Sequence, residues 1–94
     1  MVGVRWLPEA LDDLNRLHAF IAPYSPDASI RAVDTIVAAA ESLEVFPEKG
    51  RPWDPEKEFC ELPVRFGARG YVTRYRIFED RVIIVRVWHA LEDR

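Results

Sequence analysis

Apolar side chains recur along this chain with two periods, about 3.6 residues in its first half and 2 in its last third. Val2 to Trp6 is a short apolar run ahead of Pro8 and reads as an edge or joining strand. Pro8 suits the first turn of a helix, where its missing N–H costs nothing. Leu11, Leu14, Leu17, His18 and Ile21 follow at helical spacing, with Asp12 and Asp13 in the first turns, where the helix dipole favours negative charge. Pro23 ends this helix. Ser25 and Pro26 repeat the start signal as N-cap and first helical residue. The stripe Ile30, Val33, Ile36, Val37, Ala40 and Leu43 carries a second helix to about Phe46. The link between the helices is short, so they form an antiparallel pair.

Pro47 and Gly50 close the second helix, and residues 47–57, with three of the seven prolines, read as an ordered loop. From Phe59 the period changes. Cys60, Leu62, Val64 and Phe66 fall on one side of a strand, and Phe59, Glu61, Pro63 and Arg65 on the other. Gly67 to Gly70 turns the chain into a hairpin rich in β-branched and aromatic residues, centred on Glu79 to Arg81. A three-residue loop at Glu79–Arg81 sets Arg74 opposite Arg86 and separates charge from core. A two-residue turn at Glu79 and Asp80 sets Arg74 beside Val85, and a slip of one residue exchanges the faces. The favoured register is the first. The expected order is β-α-α-β-β-β: an α+β fold, with the helix pair on one face of a small antiparallel sheet, as a single domain over residues 1–94.

Ninety-four residues with 49% hydrophobic and 12% aromatic content can build a core, though a chain this short gains from a stabilising partner. One cysteine, Cys60, forbids an internal disulfide and points to a reducing compartment. No run of about 18 apolar residues and no signal-peptide pattern is present, so a cytoplasmic location with no membrane partner is expected. The net charge of −3 hides an asymmetry: residues 1–48 carry a charge of −5 and residues 49–94 carry +2. Overall acidity argues against strong nonspecific nucleic-acid binding, and no direct sequence-specific DNA binding is expected. The basic surplus falls on the strands, where Arg74, Arg76 and Arg86 stand inside apolar runs. Unpaired guanidinium groups are costly in a core. They are therefore expected to point outward together and form a docking surface.

Several segments, taken in order, resemble the RelE/ParE superfamily, the toxin half of type II toxin–antitoxin pairs, on its ParE-like branch. They are the helix pair, Phe46-Pro47-Glu48-Lys49-Gly50-Arg51-Pro52, Glu61-Leu62-Pro63-Val64, Gly70-Tyr71-Val72 with Tyr75-Arg76-Ile77, and the ending Val82-Ile83-Ile84-Val85-Arg86-Val87-Trp88-His89. The resemblance covers nearly the whole chain. It implies a growth-inhibiting toxin held inactive by a cognate antitoxin, whose extended or helical segment wraps over it. It also implies one of two targets: DNA gyrase, inhibited without nuclease activity, or mRNA on the ribosome, which RelE-like members cleave.

RNA cleavage needs a base for the ribose 2′-OH, an acid for the leaving oxygen, and cations for the phosphate. Where RelE-like nucleases carry lysines this strand has Phe59 and Glu61, and Val72 follows the Gly-Tyr pair in place of an arginine. The enzymatic reading is therefore the lesser one. It would rest on His89, Arg65, Arg74 and Arg76, and a degenerate, non-toxic binding module is the third reading. The expected partner-binding set is Arg51, Arg65, Arg74, Arg76, Arg86, Trp88 and His89, with no cofactor and no metal site. Each candidate also has a structural role open to it. His89 can be a hydrogen-bonded strand-end histidine, and Arg51 can cap the second helix. The three strand arginines can pair with Glu58, Glu61 or Glu79. Trp53 and Trp88 can be core or rim residues, and His18 is a packing residue.

Overall fold

The computed structural model describes residues 3–54 and 59–92, with only the backbone of Trp53 and Asp54. Strand β1 (Gly3–Trp6) leads into helix α1 (Pro8–Ile21), followed by α2 (Pro26–Glu41) and a 3-10 turn at Ser42–Glu44. Strands β2 (Arg51–Asp54), β3 (Phe59–Phe66), β4 (Arg69–Phe78) and β5 (Arg81–His89) complete the chain. Both helices begin on a proline, as expected. The Ser25 hydroxyl caps α2 by accepting the Ala28 N–H at 3.1 Å.

The five strands form one sheet in the order β1-β5-β4-β3-β2. It is mixed, because β1 runs parallel to β5 while every other pairing is antiparallel. The short strand β2 lies within the stretch expected as loop, and residues 55–57 of that stretch, like Glu58, lie outside the described residues. Both helices pack on one face. Ala10 and Leu17, then Ala32, Ile36 and Ala40, meet Leu62, Val64, Tyr71, Tyr75, Val82, Ile84 and Val87 there. Small alanines at the contact bring the helices close to the sheet. Rotation differs slightly from the expected stripes: Leu11 is 48% and Ile30 56% exposed. His18 is likewise exposed; it does not pack in the core, and its Nε2 lies 3.2 Å from the Ser29 hydroxyl on α2.

The β4–β5 hairpin corrects the expected turn. Phe78 pairs with Arg81, so the loop has two residues, Glu79 and Asp80, both in the left-handed region at φ 49° and 60°. These are the signs of a type I′ turn, which matches strand twist but here uses no glycine. Arg74 still faces Arg86, because a bulge adds Val85 to β5 and shifts the register by one. At the β3–β4 turn, a side chain at Gly70 would collide with the Val64 carbonyl oxygen, so glycine is required there.

Tyr75 fastens the loop after the helices to the sheet. Its ring is fully buried, its hydroxyl donates to the Pro47 carbonyl at 2.8 Å, and it accepts the Gly50 N–H at 2.9 Å. Burial pushes the phenol up to about 12, so it stays a neutral donor. Tyr75→Phe keeps the ring but strands both backbone groups. It is expected to lower unfolding free energy by about 1–2 kcal/mol, read as a lower urea midpoint with an unchanged slope.

Candidate functional site

The structure divides the expected arginine surface. The face of the sheet turned away from the helices carries Glu61, Arg65, Val72, Arg74, Arg76 and Trp88, as the pairing of β3, β4 and β5 requires. Arg74 is not a free cation on that face. Its Nη2 lies 2.9 Å and its Nε 3.2 Å from the Glu61 carboxylate, and both side chains are mostly buried. Its guanidinium also covers the Trp88 ring at 4.8 Å. Trp88 is only 7% exposed, and so is a covered rim residue and not an open anchor. Arg76 lies 5.8 Å from the Phe59 ring and 5.1 Å from the Phe78 ring. Arg65 is exposed, as is Arg51, which belongs to β2 opposite Glu61 and does not cap α2. The Trp53 side chain lies outside what the structure describes.

Arg86 departs furthest from expectation. Register places it beside Arg74, but its Nε and Nη2 donate to the Asp13 carboxylate of α1 at 2.8 and 3.1 Å. The reason lies in the edge of β5. Strand β1 pairs only with Arg81–Ile84 and then leaves for α1, the last link being the Leu7 N–H to the Ile84 carbonyl at 3.0 Å. Val87 therefore presents unpaired backbone groups beyond the end of β1. Asp13 accepts the Val87 N–H at 2.8 Å, and Arg16 donates to the Val87 carbonyl at 3.4 Å. Side chains of a helix take over where the strand stops.

Asp13 is 3% exposed. Burial alone would raise its carboxyl pKa, but hydrogen bonds from Arg86, the Val87 N–H and Arg16 hold it below its ordinary 3.8. Sequence reasoning assigned Asp13 to the helix dipole and missed this role. The available signal was its position: Asp13 lies on the same helical face as Ala10 and Leu17, a charge within a buried stripe.

His89 belongs to the opposite face from Arg74 and Arg76. Its ring meets Tyr71 edge-on at 5.5 Å, and its Nδ1 accepts the Leu91 N–H at 3.1 Å. It lines a groove of about 780 Å³ between α1 and the β3–β4 turn. Leu17, Phe20, Ile21, Phe66 and Tyr71 give this groove an apolar floor, and Arg16, Arg69 and Glu92 charge its rim. Phe20 is 75% exposed. Among the described residues no cluster of three or more His, Cys, Asp or Glu could hold a metal ion.

A model of the family described as the ParE toxin of the type II toxin–antitoxin system parDE matches residues 4–94. The chain is 39% identical to Toxin RelE3 of Caulobacter vibrioides over the full length of both. It is 37% identical to Toxin RelE1 of that organism, covering 100% of this chain and 95% of the relative. Among solved structures it resembles the chromosomal ParDE toxin–antitoxin system of P. aeruginosa, with TM-score 0.79, 19% identity, and 95% and 96% of the two chains covered. The intact E. coli RelBE toxin–antitoxin complex matches with TM-score 0.64 and 12% identity over 98% and 100%. At these identities the two structures share the fold.

Asp13→Ala is expected to destabilise the fold by about 2–3 kcal/mol, since it strands the Val87 N–H and the Arg86 charge. The pH dependence has a definite sign. A carboxyl pKa depressed by folding adds stability above its unfolded value, near 3.8, and that stability is lost as pH falls through the native pKa. Urea titrations from pH 6 down to pH 3 should show a shallower acid decline for Asp13→Asn than for the wild type.

Proposed function

The chain belongs to the ParE toxin family of type II toxin–antitoxin systems, and on that premise we propose that it arrests growth by binding DNA gyrase, without cutting RNA. The observation that supports this is the separation of the candidate catalytic groups. A ribonuclease must bring base, acid and cations to one phosphate. Here His89 lines the groove on the helix side, while Arg65, Arg74 and Arg76 belong to the opposite face of the sheet. Arg74 is neutralised by Glu61, and the His89 Nδ1 already accepts a backbone N–H. Inhibition through protein contact needs no such convergence.

In this reading residues 1–94 act as a single cytoplasmic domain, without cofactor, and a cognate antitoxin protein neutralises it. No helix among the described residues is long and apolar enough to cross a membrane. The exposed Arg51 and Arg65 are the cations of the expected partner-binding set that remain most open to a partner. The competing reading is ribosome-dependent mRNA cleavage, favoured by relatives that carry the name RelE.

Two assays separate these readings. Added to purified gyrase and relaxed plasmid, the protein should reduce supercoiling in proportion to its concentration, and His89→Ala should do so equally. Added to in vitro translation, it should leave mRNA intact. Unaltered supercoiling with message cut inside the ribosome gives the nuclease reading, while silence in both assays and in growth gives a non-toxic binding module.

A further inference from the structure

Helix α1 borders the groove on one side only. On its other side, where it meets α2 away from the sheet, a second depression of about 450 Å³ is lined by Leu11, Leu14, Asn15 and His18 of α1 and by Val33 of α2. Leu11 is 48% exposed. Ile30, one turn before Val33 on the same side of α2, is 56% exposed. His18 ties the two helices together here. The Ser29 hydroxyl has one hydrogen and gives it to the Pro26 carbonyl at 2.6 Å, so the His18 Nε2–H, at 3.2 Å, donates to the Ser29 oxygen. In the neutral ring Nδ1 is then an acceptor.

The surroundings of this cleft are acidic. Asp34 and Glu41 each follow an apolar residue, Ile30 and Val37, by four positions, so positions 30, 34, 37 and 41 form one stripe of α2. Asp12 adjoins Leu11 on α1, and all three carboxylates are exposed. Among the described residues no ion pair reaches any of them. The one arginine of α2, Arg31, is held by Asp27 at 2.9 Å, and that of α1, Arg16, holds Glu92 and Asp13. The sheet is the opposite case, since Arg74 and Arg86 there already hold carboxylates of this chain. The charge of −5 on residues 1–48 is thus left uncompensated around an apolar cleft.

We propose that the cleft between α1 and α2 is where the growth-arrest target docks, through an amphipathic helix with an apolar stripe flanked by lysine or arginine. The apolar stripe enters between Leu11 and Val33, and its cations meet Asp12, Asp34 and Glu41. Two helices side by side offer a groove for a third, apolar burial supplies most of the affinity, and the charges set on-rate and register. An enzyme that handles DNA carries basic surface for the phosphates, which is the charge this rim lacks. The inference rests on the gyrase reading above and adds the surface and the chemistry of the contact.

The test uses the full chain with purified gyrase and relaxed plasmid. Asp34→Lys combined with Glu41→Lys should raise the half-inhibiting concentration at least about tenfold, as expected for reversed charges at an interface. Ile30→Gln should raise it about fivefold through lost apolar burial. Glu48→Lys, an equal charge change in the loop after α2, should leave it unchanged. The urea midpoint should stay at the wild-type value throughout, since every altered side chain is exposed. A half-inhibiting concentration within twofold of wild type for either cleft variant overturns the inference. So does an equal loss with Glu48→Lys, which would make the effect one of net charge. If the cleft variants instead dissolve a wild-type dimer in sedimentation, the cleft holds a second copy. If they weaken binding of the purified product of the open reading frame adjoining this gene, it holds the antitoxin; either result overturns the assignment to the target. Should the wild-type chain fail to inhibit gyrase, the gyrase reading falls and this inference with it. If wild type inhibits and the cleft variants inhibit equally, only the inference falls.

Discussion

The carboxylate of Asp13 closes the sheet at the point where its backbone pairing runs out. Strand β1 covers only the first part of β5, because the chain must turn away at Leu7 to start α1. Unpaired backbone groups at a covered edge cost about as much as lost hydrogen bonds. Asp13 and Arg16, one helical turn apart, satisfy the Val87 N–H and carbonyl from the side. A buried carboxylate is itself expensive, and Arg86 offsets that cost by donating two hydrogen bonds. The same contacts fix the rotation of α1 about its axis. That rotation sends Leu17 into the core and brings Phe20 and Ile21 to the groove.

Cations that looked like one recognition surface are therefore in large part taken up by the fold itself. Arg86 belongs to the edge closure, and Arg74 to a buried pair with Glu61 beneath which Trp88 is hidden. Arg16, which drew no attention as a helix arginine among acidic neighbours, is the one that touches core, edge and groove at once. A shared fold does not fix which residues do the chemistry. Here the relatives identify the family, and the side-chain pairing decides which arginines remain available.

The helix starts were legible because their signals are local, prolines at N1 and a serine cap, and Pro23 marked the end of α1. Helix α2, expected to reach about Phe46, stops at Glu41 instead, where a 3-10 turn over Ser42–Glu44 carries Leu43 into the core. The alternation from Cys60 to Phe66 and the two hairpin strands were legible for the same reason. The parallel pairing of β1 was not, since nothing local distinguishes a four-residue strand by its future neighbour. The bulge at Val85 left no glycine to mark it, so the two-residue turn was passed over although the Arg74–Arg86 pairing it preserves was expected. Asp13 near a helix N-terminus gives the same local signal whether it serves the dipole or a partner 74 residues away. The groove drew on His89 and Tyr71, which were noticed, and on Arg16, Phe20 and Glu92, which only folding brings together.

Pairing the first strand with the last also governs when the molecule comes into being. During synthesis, everything up to Phe78 can emerge while β1 still lacks its neighbour and α1 has no edge to close. The core cannot be completed until the final strand is released, so an interrupted translation product has neither a finished sheet nor a groove. A chain cut short before β5 therefore lacks the strand on which both β1 and α1 depend.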